Sequence, residues 1–346
     1  MNPPSVSVII PSYNTASFIA ETLDSVFAQT FMDCEVIVVN DGSPDTLQLE
    51  RVLEPYRDRI VYLKQENQGP SGARNTAIRH ARGIFLAFLD SDDMWLPQFL
   101  SEQMKFFQNA PSLDLVYADT FIFRDMLPIG TLVMKPPVPR GQVSFNNILT
   151  RQCQVVMSCT VVRKQVVIDS GLFDESLRRV EDYDLWLRIA YRGGEMMRHQ
   201  KILGLHRIHS ASLSADEQRM IEDWICVLNR FPGSVNLRTH EREVVEKTIL
   251  EAQAELELIK GKQYVLDGDV QQAKASFEKA YEFFQRKKLQ AVLLGLRTVP
   301  WLVRPMVKCQ QWLSFGVDLV KAAKAKHLHW VSNRRHLYST HFRNAR

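Results

Sequence analysis

The run Phe85-Leu86-Ala87-Phe88-Leu89 is apolar throughout and stops at Asp90-Ser91-Asp92-Asp93. A short continuous apolar run of this kind has the length and composition of a strand buried on both faces. The acids then stand at the carboxyl end of that strand, which is where open α/β sheets bind ligands. Three carboxylates within four positions repel one another unless a cation or hydrogen-bond donors sit among them. Asp90 and Asp92 flank Ser91, so an irregular turn can aim both at one divalent ion. Oxygen-only ligands suit Mg²⁺ or Mn²⁺ rather than zinc. The plain alternative is a polar loop with a helix cap, because Pro97 and a helical pattern follow Asp93.

Three further runs have the same character. Val6–Ile10 is closed by Pro11-Ser12-Tyr13-Asn14, Val36–Val39 by Asn40-Asp41-Gly42-Ser43, and Ile60–Leu63 is a short third strand. Between them, Phe18, Ile19, Leu23, Val26 and Phe27 recur at helical spacing, with Thr15 or Ser17 as the cap. Ser43 offers a cap for the next helix, and Ala73 to Arg82 reads as a helix after the loop Gln68–Gly72. Strands alternating with helices predict an α/β fold, a doubly wound and mostly parallel sheet. That topology brings Asn14, Asp41, Arg74 and Asp90 to Asp93 to one rim. A dehydrogenase would need G-x-G-x-x-G after the first strand, and Pro11–Ala16 lacks it; no G-x-x-x-x-G-K-[ST] occurs either. A diphosphate here would be neutralised by a metal on Asp90 and Asp92 instead of by a glycine cradle. Asp41 either accepts a hydrogen bond from a base N–H or simply forms the turn before Gly42.

The 346 residues have room for about two domains. The five cysteines are scattered, odd in number and free of C-x-x-C, which favours free thiols in a reducing cytoplasmic setting. The start, Met1-Asn2-Pro3-Pro4, has neither a basic nor an apolar leader region, and no apolar run reaches the ~20 residues of a membrane span. A soluble or peripheral protein is expected.

Taken together, Val6–Asn14, Glu35–Ser43, Asn67–Asn75 and the Asp90 stretch resemble the blocks of family 2 glycosyltransferases with the GT-A fold. The order and spacing of four separate blocks match, and the resemblance covers roughly the first 210 residues. It implies a nucleotide-diphosphate sugar donor, usually UDP-linked, a divalent metal (Mn²⁺ or Mg²⁺) and inversion at the anomeric carbon. The family commonly has two acids at the close of strand two, where this chain has Asn40-Asp41; the base contact therefore falls to Asp41. Donor contacts are implied for Pro11, Tyr13, Asn14, Asp41, Arg74, Asp90 and Ser91, and metal ligation for Asp90 and Asp92.

Farther on, Leu115–Asp119 and Val155–Val162 read as strands, and the proline-rich stretch from Met126 to Val143 as a loop. Leu185, Trp186, Ile189 and Ala190 mark a helix whose first turn carries Glu181, Asp182 and Asp184. Acids there complement the helix dipole in any protein, but the block also resembles the family motif that supplies the catalytic base. Inversion needs one carboxylate to take the acceptor hydroxyl proton directly. Asp182 is the expected base, Glu181 the second candidate, and Asp184 an orienting group. Leu203–Ser210 reads as a last strand. The family often holds an Arg-x-His pair at that place, which implies Arg207 and His209 as contacts to the diphosphate or metal.

Beyond Ser214 the composition changes to helix formers. The expected division is a catalytic domain over 1–213 and a helical domain over 214–346, with one tetratricopeptide-like hairpin ending in Val270–Ala280. From Arg286 to Arg346 the basic residues are opposed by Asp318 alone. Combined with Leu293, Leu294, Trp301, Leu302 and Trp312, they suit either an interfacial helix on an anionic leaflet or an ordinary docked helix with a solvated basic face. Nucleic acid is not expected, since no binding module accompanies the tail. The expected activity is transfer of a sugar to a saccharide or lipid-linked acceptor in surface polysaccharide synthesis, on the cytoplasmic side of the inner membrane. Two other readings remain. A sugar-nucleotide nucleotidyltransferase would need a Gly-rich, basic phosphate loop after strand one. A non-catalytic membrane scaffold would not need Asp41, Asp90, Asp92 and Asp182.

Overall fold

The computed structural model describes residues 3–124, 127–131, 142–209, 216–298, 303 and 305. In chain order the elements are β1 (Val6–Ser12), α1 (Ile19–Phe27), β2 (Cys34–Asp41), α2 (Thr46–Leu53), β3 (Val61–Gln65), α3 (Gly69–His80), β4 (Phe85–Phe88), β5 (Met94–Trp95), α4 (Phe99–Asn109), β6 (Leu115–Arg124), β7 (Leu127–Thr131), β8 (Gln142–Val143), α5 (Phe145–Leu149), β9 (Thr160–Arg163), α6 (Lys164–Asp169), α7 (Glu181–Tyr191), β10 (Met196–Arg207), α8 (Glu217–Ser234), α9 (Thr239–Asp267), α10 (Val270–Phe284) and α11 (Lys287–Thr298). One sheet runs β3-β2-β1-β4-β9-β6-β10-β5, with β7 added on β6 and β8 on β10. β3, β2, β1 and β4 are parallel. β9 is antiparallel to both β4 and β6, so β6 and its parallel neighbour β10 point the same way as the first four. The mixed, mostly parallel sheet expected from the alternation is present. The carboxyl ends of β1, β2, β4 and β10 consequently share one edge.

Successive side chains of a strand point to opposite faces, and the core divides accordingly. Val8, Ile10, Val36, Val38, Ala87 and Leu89 pack with Ile19, Leu23 and Val26 of α1, Leu49 and Leu53 of α2, and Leu100 and Met104 of α4. Ile9, Ile37, Val39, Leu86 and Phe88 pack with Ala73, Ala77 and Ile78 of α3, and with Leu185, Trp186 and Ile189 of α7. The same cluster continues into Trp224, Val227, Leu228 and Phe231 of α8 and Val245 and Ala252 of α9. The boundary expected at 213/214 lies outside the described residues, and the helices after it share the core of α7. A smaller cluster, Val265, Ala273, Phe277, Ala280, Leu289, Leu293 and Leu296, joins the end of α9 to α10 and α11. Gly261 permits this close packing, since a Cβ there would meet the Phe277 ring at 2.8 Å. The basic segment after residue 305 lies outside the described residues. Among those described, no helix is long and apolar enough to cross a membrane.

Several boundaries differ from the sequence reading for identifiable reasons. α3 starts at Gly69 instead of Ala73, because Asp41 accepts the N–H groups of Gln68 and Gly69 at 2.8 Å and Pro70 suits the first turn. Neither Thr15, Ser17 nor Ser43 caps a helix by its side chain: the N-cap positions of α1 and α2 are Phe18 and Asp45, and neither makes a side-chain cap bond. The hydroxyls of Thr15 and Ser43 bond to loops instead. Of Val155–Val162, residues Met157–Cys159 form a 3₁₀ turn and only Thr160–Arg163 is strand. β10 begins at Met196, seven residues before Leu203; Arg198, Gln200 and Lys201 interrupt its apolar pattern, and its pairing with β6 is bulged between His199 and Gly204.

The end of β10 is tied to the loop after β4 by Asp93, which is 1% exposed. Asp93 Oδ1 accepts the Arg207 N–H at 2.8 Å, and Oδ2 lies 3.0 Å from His206 Nδ1. Asp93 pushes the His206 imidazolium up to about 9, against the burial that opposes it. Because that value lies above the unfolded one of about 6.5, the pair stabilises fully below pH 6.5 and the contribution is lost as pH rises through about 9. Urea denaturation of the wild type should therefore show stability falling over that window by about 3 kcal/mol. His206→Gln should flatten the dependence; an unchanged slope in that variant would remove the pair from the account.

Candidate active site

The site is built where four strands end. β1 ends in Pro11 and Ser12 and turns through Tyr13, which is half exposed, and Asn14, which has φ +55°. Asparagine tolerates this left-handed conformation better than most residues. The Asn14 N–H donates to Ser43 Oγ at 2.6 Å. Ser12 Oγ and Thr15 Oγ1 are 2.9 Å apart, and Thr15 Oγ1 and Ser91 Oγ 2.8 Å, so a chain of hydroxyls joins the loop after β1 to the loop after β4. Thr22 reinforces it from α1 by donating to the carbonyls of Ser91 and Asp93 at 2.9 and 2.8 Å. Sequence reasoning passed over Thr22. Its signal was a hydroxyl on the buried face of a helix, beside Ile19 and Leu23.

At the end of β2, Asn40 is fully buried and holds the turn: it donates to Thr46 and Tyr62 at 2.9 Å and accepts the Ser43 N–H. Asp41 is also buried. Its Oδ1 accepts Gln65 Nε2 and Gln68 N, and its Oδ2 accepts Gly69 N, all at 2.8 Å. Gly42, at φ +64°, lets residue 67 come close; a Cβ would lie 2.7 Å from the Asn67 nitrogen. Asp41 thus caps α3 and keeps one acceptor position on Oδ2 unused by these bonds.

The acids after β4 separate. Asp90 Oδ1 accepts Arg74 Nη2 at 2.7 Å, and the Asp90 N–H donates to Ser158 Oγ at 3.2 Å. Asp92 Oδ2 lies 2.8 Å from His209 Nε2. Burial, then the charges of Asp93 and Asp90, push the Asp92 carboxyl up to about 6, with His209 opposing. Arg207 lies between the rings of Phe18 and Phe123, donates Nε–H to the Asp92 carbonyl at 2.9 Å, and pairs through Nη2 with Glu21 at 2.7 Å. His209 stacks on Phe18 with ring centroids 4.9 Å apart. The structure therefore brings Asp92 and His209 together and turns Asp90 toward Arg74. Among the described residues no group of three or more His, Cys, Asp and Glu side chains is arranged to hold a metal. The Asp92–His209 pair is nevertheless an oxygen and nitrogen donor set next to two further carboxylates, Asp90 and Asp93, which fits a divalent cation.

Arg74, 4% exposed, reaches across from α3 and joins the two halves of the site. Besides Asp90 it donates Nη1–H to Glu181 Oε1 at 2.5 Å. Burial pulls its guanidinium down, but the two carboxylates outweigh that and hold it above the usual range. Glu181 is the first residue of α7 and is itself buried. Val180 before it sits at φ +51°, a conformation that costs a β-branched residue roughly 1–2 kcal/mol and aims the next residues into the site. Asp182 Oδ1 accepts the Tyr183 N–H at 2.7 Å. Burial and then Glu181 push its carboxyl up to about 7, with the Tyr183 N–H and Arg74 opposing. Asp184 pairs with Arg188 at 2.6 Å, and Arg188 also donates to the Leu172 carbonyl at 2.7 Å, so its role is within the fold.

Residues 7–165 match the model of glycosyl transferase family 2. An uncharacterized glycosyltransferase of Rickettsia prowazekii is 30% identical over 223 residues, 64% of this chain and 69% of that protein. An Escherichia coli protein named UDP-Glc:alpha-D-GlcNAc-diphosphoundecaprenol beta-1,3-glucosyltransferase is 28% identical over 68% of this chain and 89% of its own length. Among solved structures, Staphylococcus aureus TarS 1–349 in complex with UDP-GlcNAc shares the fold at a TM-score of 0.58 and 19% identity, covering 90% of this chain and 92% of its own. The mannosyltransferase PcManGT of Pyrobaculum calidifontis, in complex with GDP-Man and Mn²⁺, has a TM-score of 0.57 and 18% identity over 94% of this chain and 88% of its own.

Removing the bridging guanidinium should be costly because it strands two acids. Arg74→Ala should destabilise by about 3–5 kcal/mol, and Arg74→Lys should recover only part of that, since one ammonium cannot reproduce the two-pronged geometry. Chemical denaturation measures both; a loss in Arg74→Ala below ~1 kcal/mol would show that the bridge does not hold the site together.

Proposed function

The chain belongs to glycosyl transferase family 2, and on that footing we propose that it is an inverting enzyme that moves a sugar from a UDP-linked donor to a lipid-linked or saccharide acceptor. The observation that carries the reading is the Arg74 bridge, which fixes Glu181 and the neighbouring Asp182 relative to Asp90 on the donor edge. With Glu181 engaged by Arg74, Asp182 is the carboxylate left to accept a proton.

In this reading the nucleotide lies along the edge formed by β1, β2 and β4. Pro11, half-exposed Tyr13 and Asn14 line one side, and Tyr13 offers a ring for base stacking. The remaining acceptor position of Asp41 takes the base N–H. Ser91 and Arg207 support the loop that faces the diphosphate. Asp92 and His209 would hold a divalent cation, Mn²⁺ or Mg²⁺, whose charge would stabilise the departing diphosphate. Asp182 takes the proton of the acceptor hydroxyl as that oxygen bonds to the anomeric carbon, while the bond from that carbon to the diphosphate breaks on the opposite face. A carboxyl raised toward neutral pH is suited to general-base work there. A diphosphoundecaprenol-linked acceptor, as in the name of the E. coli relative, would place the enzyme at the cytoplasmic face of the inner membrane in surface polysaccharide synthesis. We keep the division into a catalytic domain over 1–213 and a helical domain over 214–346 as part of this proposal.

Calorimetry with UDP tests the donor side. Binding should need Mn²⁺ or Mg²⁺ and should weaken at least tenfold in Asp92→Asn; metal-independent binding of equal strength in both proteins would refute the ligand assignment. Transfer kinetics with a panel of UDP-sugars test the base. Asp182→Asn should lower kcat by about 10²–10⁴. The wild-type kcat/KM should rise with pH through an acid limb near 7. Glu181→Gln removes a like charge and should move that limb to lower pH; a limb that stays in place would detach it from Asp182.

A further inference from the structure

The segment that carries the base is gripped from behind by α8, beyond the residues that match the family model. Arg179 and Tyr183 flank Val180-Glu181-Asp182, and two adjacent residues of α8 hold them. Asp223 Oδ2 accepts Arg179 Nη1 at 3.4 Å, and Trp224 meets the Tyr183 ring edge-on with centroids 5.9 Å apart. Trp224 is 4% exposed. Arg151 lies over its ring, with the guanidinium carbon 3.8 Å from the centroid, and also pairs with Glu255 of α9. The Tyr183 hydroxyl donates to the Leu149 carbonyl at 3.1 Å, closing the box around its ring. The backbone N–H of the same tyrosine holds the Asp182 carboxylate at 2.7 Å.

Two features make this grip consequential. Val180 is in the left-handed region, a conformation that persists only where the surroundings over-determine it. Asp182 is oriented by a main-chain donor, so a shift of the Tyr183 ring moves the donor and the carboxylate together. We propose that Trp224 is a positioning residue for the base: by fixing Tyr183 from α8 it sets where the Asp182 carboxylate stands, so α8 supports the catalytic domain's site from outside it. The inference rests on Asp182 being the base. A misplacement of about 1 Å at a reacting group can cost on the order of a hundredfold in rate.

The experiment measures kcat, donor KM, UDP affinity and melting temperature in the full-length chain. Trp224→Leu should lower kcat at least tenfold with donor KM and UDP affinity within twofold of wild type. Trp224→Phe, which keeps a ring against Tyr183, should return kcat to within about threefold. A Trp224→Leu protein that folds and keeps kcat within twofold overturns the proposal, as does a loss that Trp224→Phe does not recover. If Trp224→Leu does not fold, Asp223→Ala carries the test from the partly exposed side of the same grip, with kcat expected about fivefold lower at unchanged KM; unchanged kcat there overturns it equally. Asp182→Asn in parallel separates the two levels. Full activity in that variant would refute the base assignment itself, whereas its loss together with an active Trp224→Leu would refute only the role of α8.

Discussion

A guanidinium with almost no access to water is the constraint on which the site depends. An unpaired cation buried as deeply as Arg74 would cost several kcal/mol, so its position requires both Asp90 and Glu181 to be where they are. The consequence is geometric before it is chemical. Asp90 follows β4, Glu181 opens α7, and Arg74 lies within α3. In the proposed reading one side chain therefore couples the edge that would receive the donor to the helix that would carry the base, across about a hundred residues of sequence. It also divides the labour of the two adjacent acids. Glu181 is the partner of a charge; Asp182 beside it, raised by burial and by Glu181, keeps a carboxylate able to gain and lose a proton near neutral pH.

The rest of the edge is assembled in advance by short polar side chains. Ser12, Thr15 and Ser91 connect the loops after β1 and β4, Ser43 holds the backbone of Asn14, and Asp41 caps the start of α3. Hydroxyls suit this task because each donates and accepts and can rotate to match its neighbours. A loop that is already fixed loses little freedom when a ligand binds, so more of the contact energy remains as affinity. Asp41 shows the compromise. Its carboxylate is occupied by two main-chain N–H groups and the Gln65 amide, which hold it rigid, and it still retains one acceptor position, which in the proposed reading takes a base N–H.

Much of the sheet was legible because its strands are buried on both faces, which leaves apolar runs that stop abruptly at turns. Ile9 and Ile10, or Val38 and Val39, need no alternation to be recognised as strand. β10 was only half visible for the opposite reason: Arg198, Gln200 and Lys201 reach solvent or ion pairs near its start, and a bulge breaks its register. The site was legible as a set of residues but not as a set of partnerships. Sequence spacing suggested Asp90 and Asp92 as twin ligands, and the family resemblance implied Arg74 as a contact to the donor. Neither could show that Arg74 would turn inward, because the partner that draws it in, Glu181, is 107 residues away. Val180 in a left-handed conformation is likewise invisible to pattern reading, since a β-branched residue argues against it. The grip of Asp223 and Trp224 on the segment around it supplies the tertiary restraint that overrides that preference.

The three acids after β4 show how like charges at close spacing acquire different roles. Each meets a different cationic or ionisable partner: Asp90 meets Arg74, Asp93 meets His206, and Asp92 meets His209. Arginine is always charged, and His206 is held in its charged form to about pH 9 by Asp93. Burial, and then the charges of Asp93 and Asp90, raise the Asp92 carboxyl. Asp92 is thus the acid whose partner is neither Arg74 nor His206 but the His209 imidazole, a group able to ligate a metal through its neutral form. In the proposed reading a divalent ion would bind at that point, whereas Asp90 would have to give up its bridge to Arg74 to take part. The same reasoning explains why an ion there need not loosen the base: the bridge that orders α7 runs through Asp90 and leaves Asp92 out.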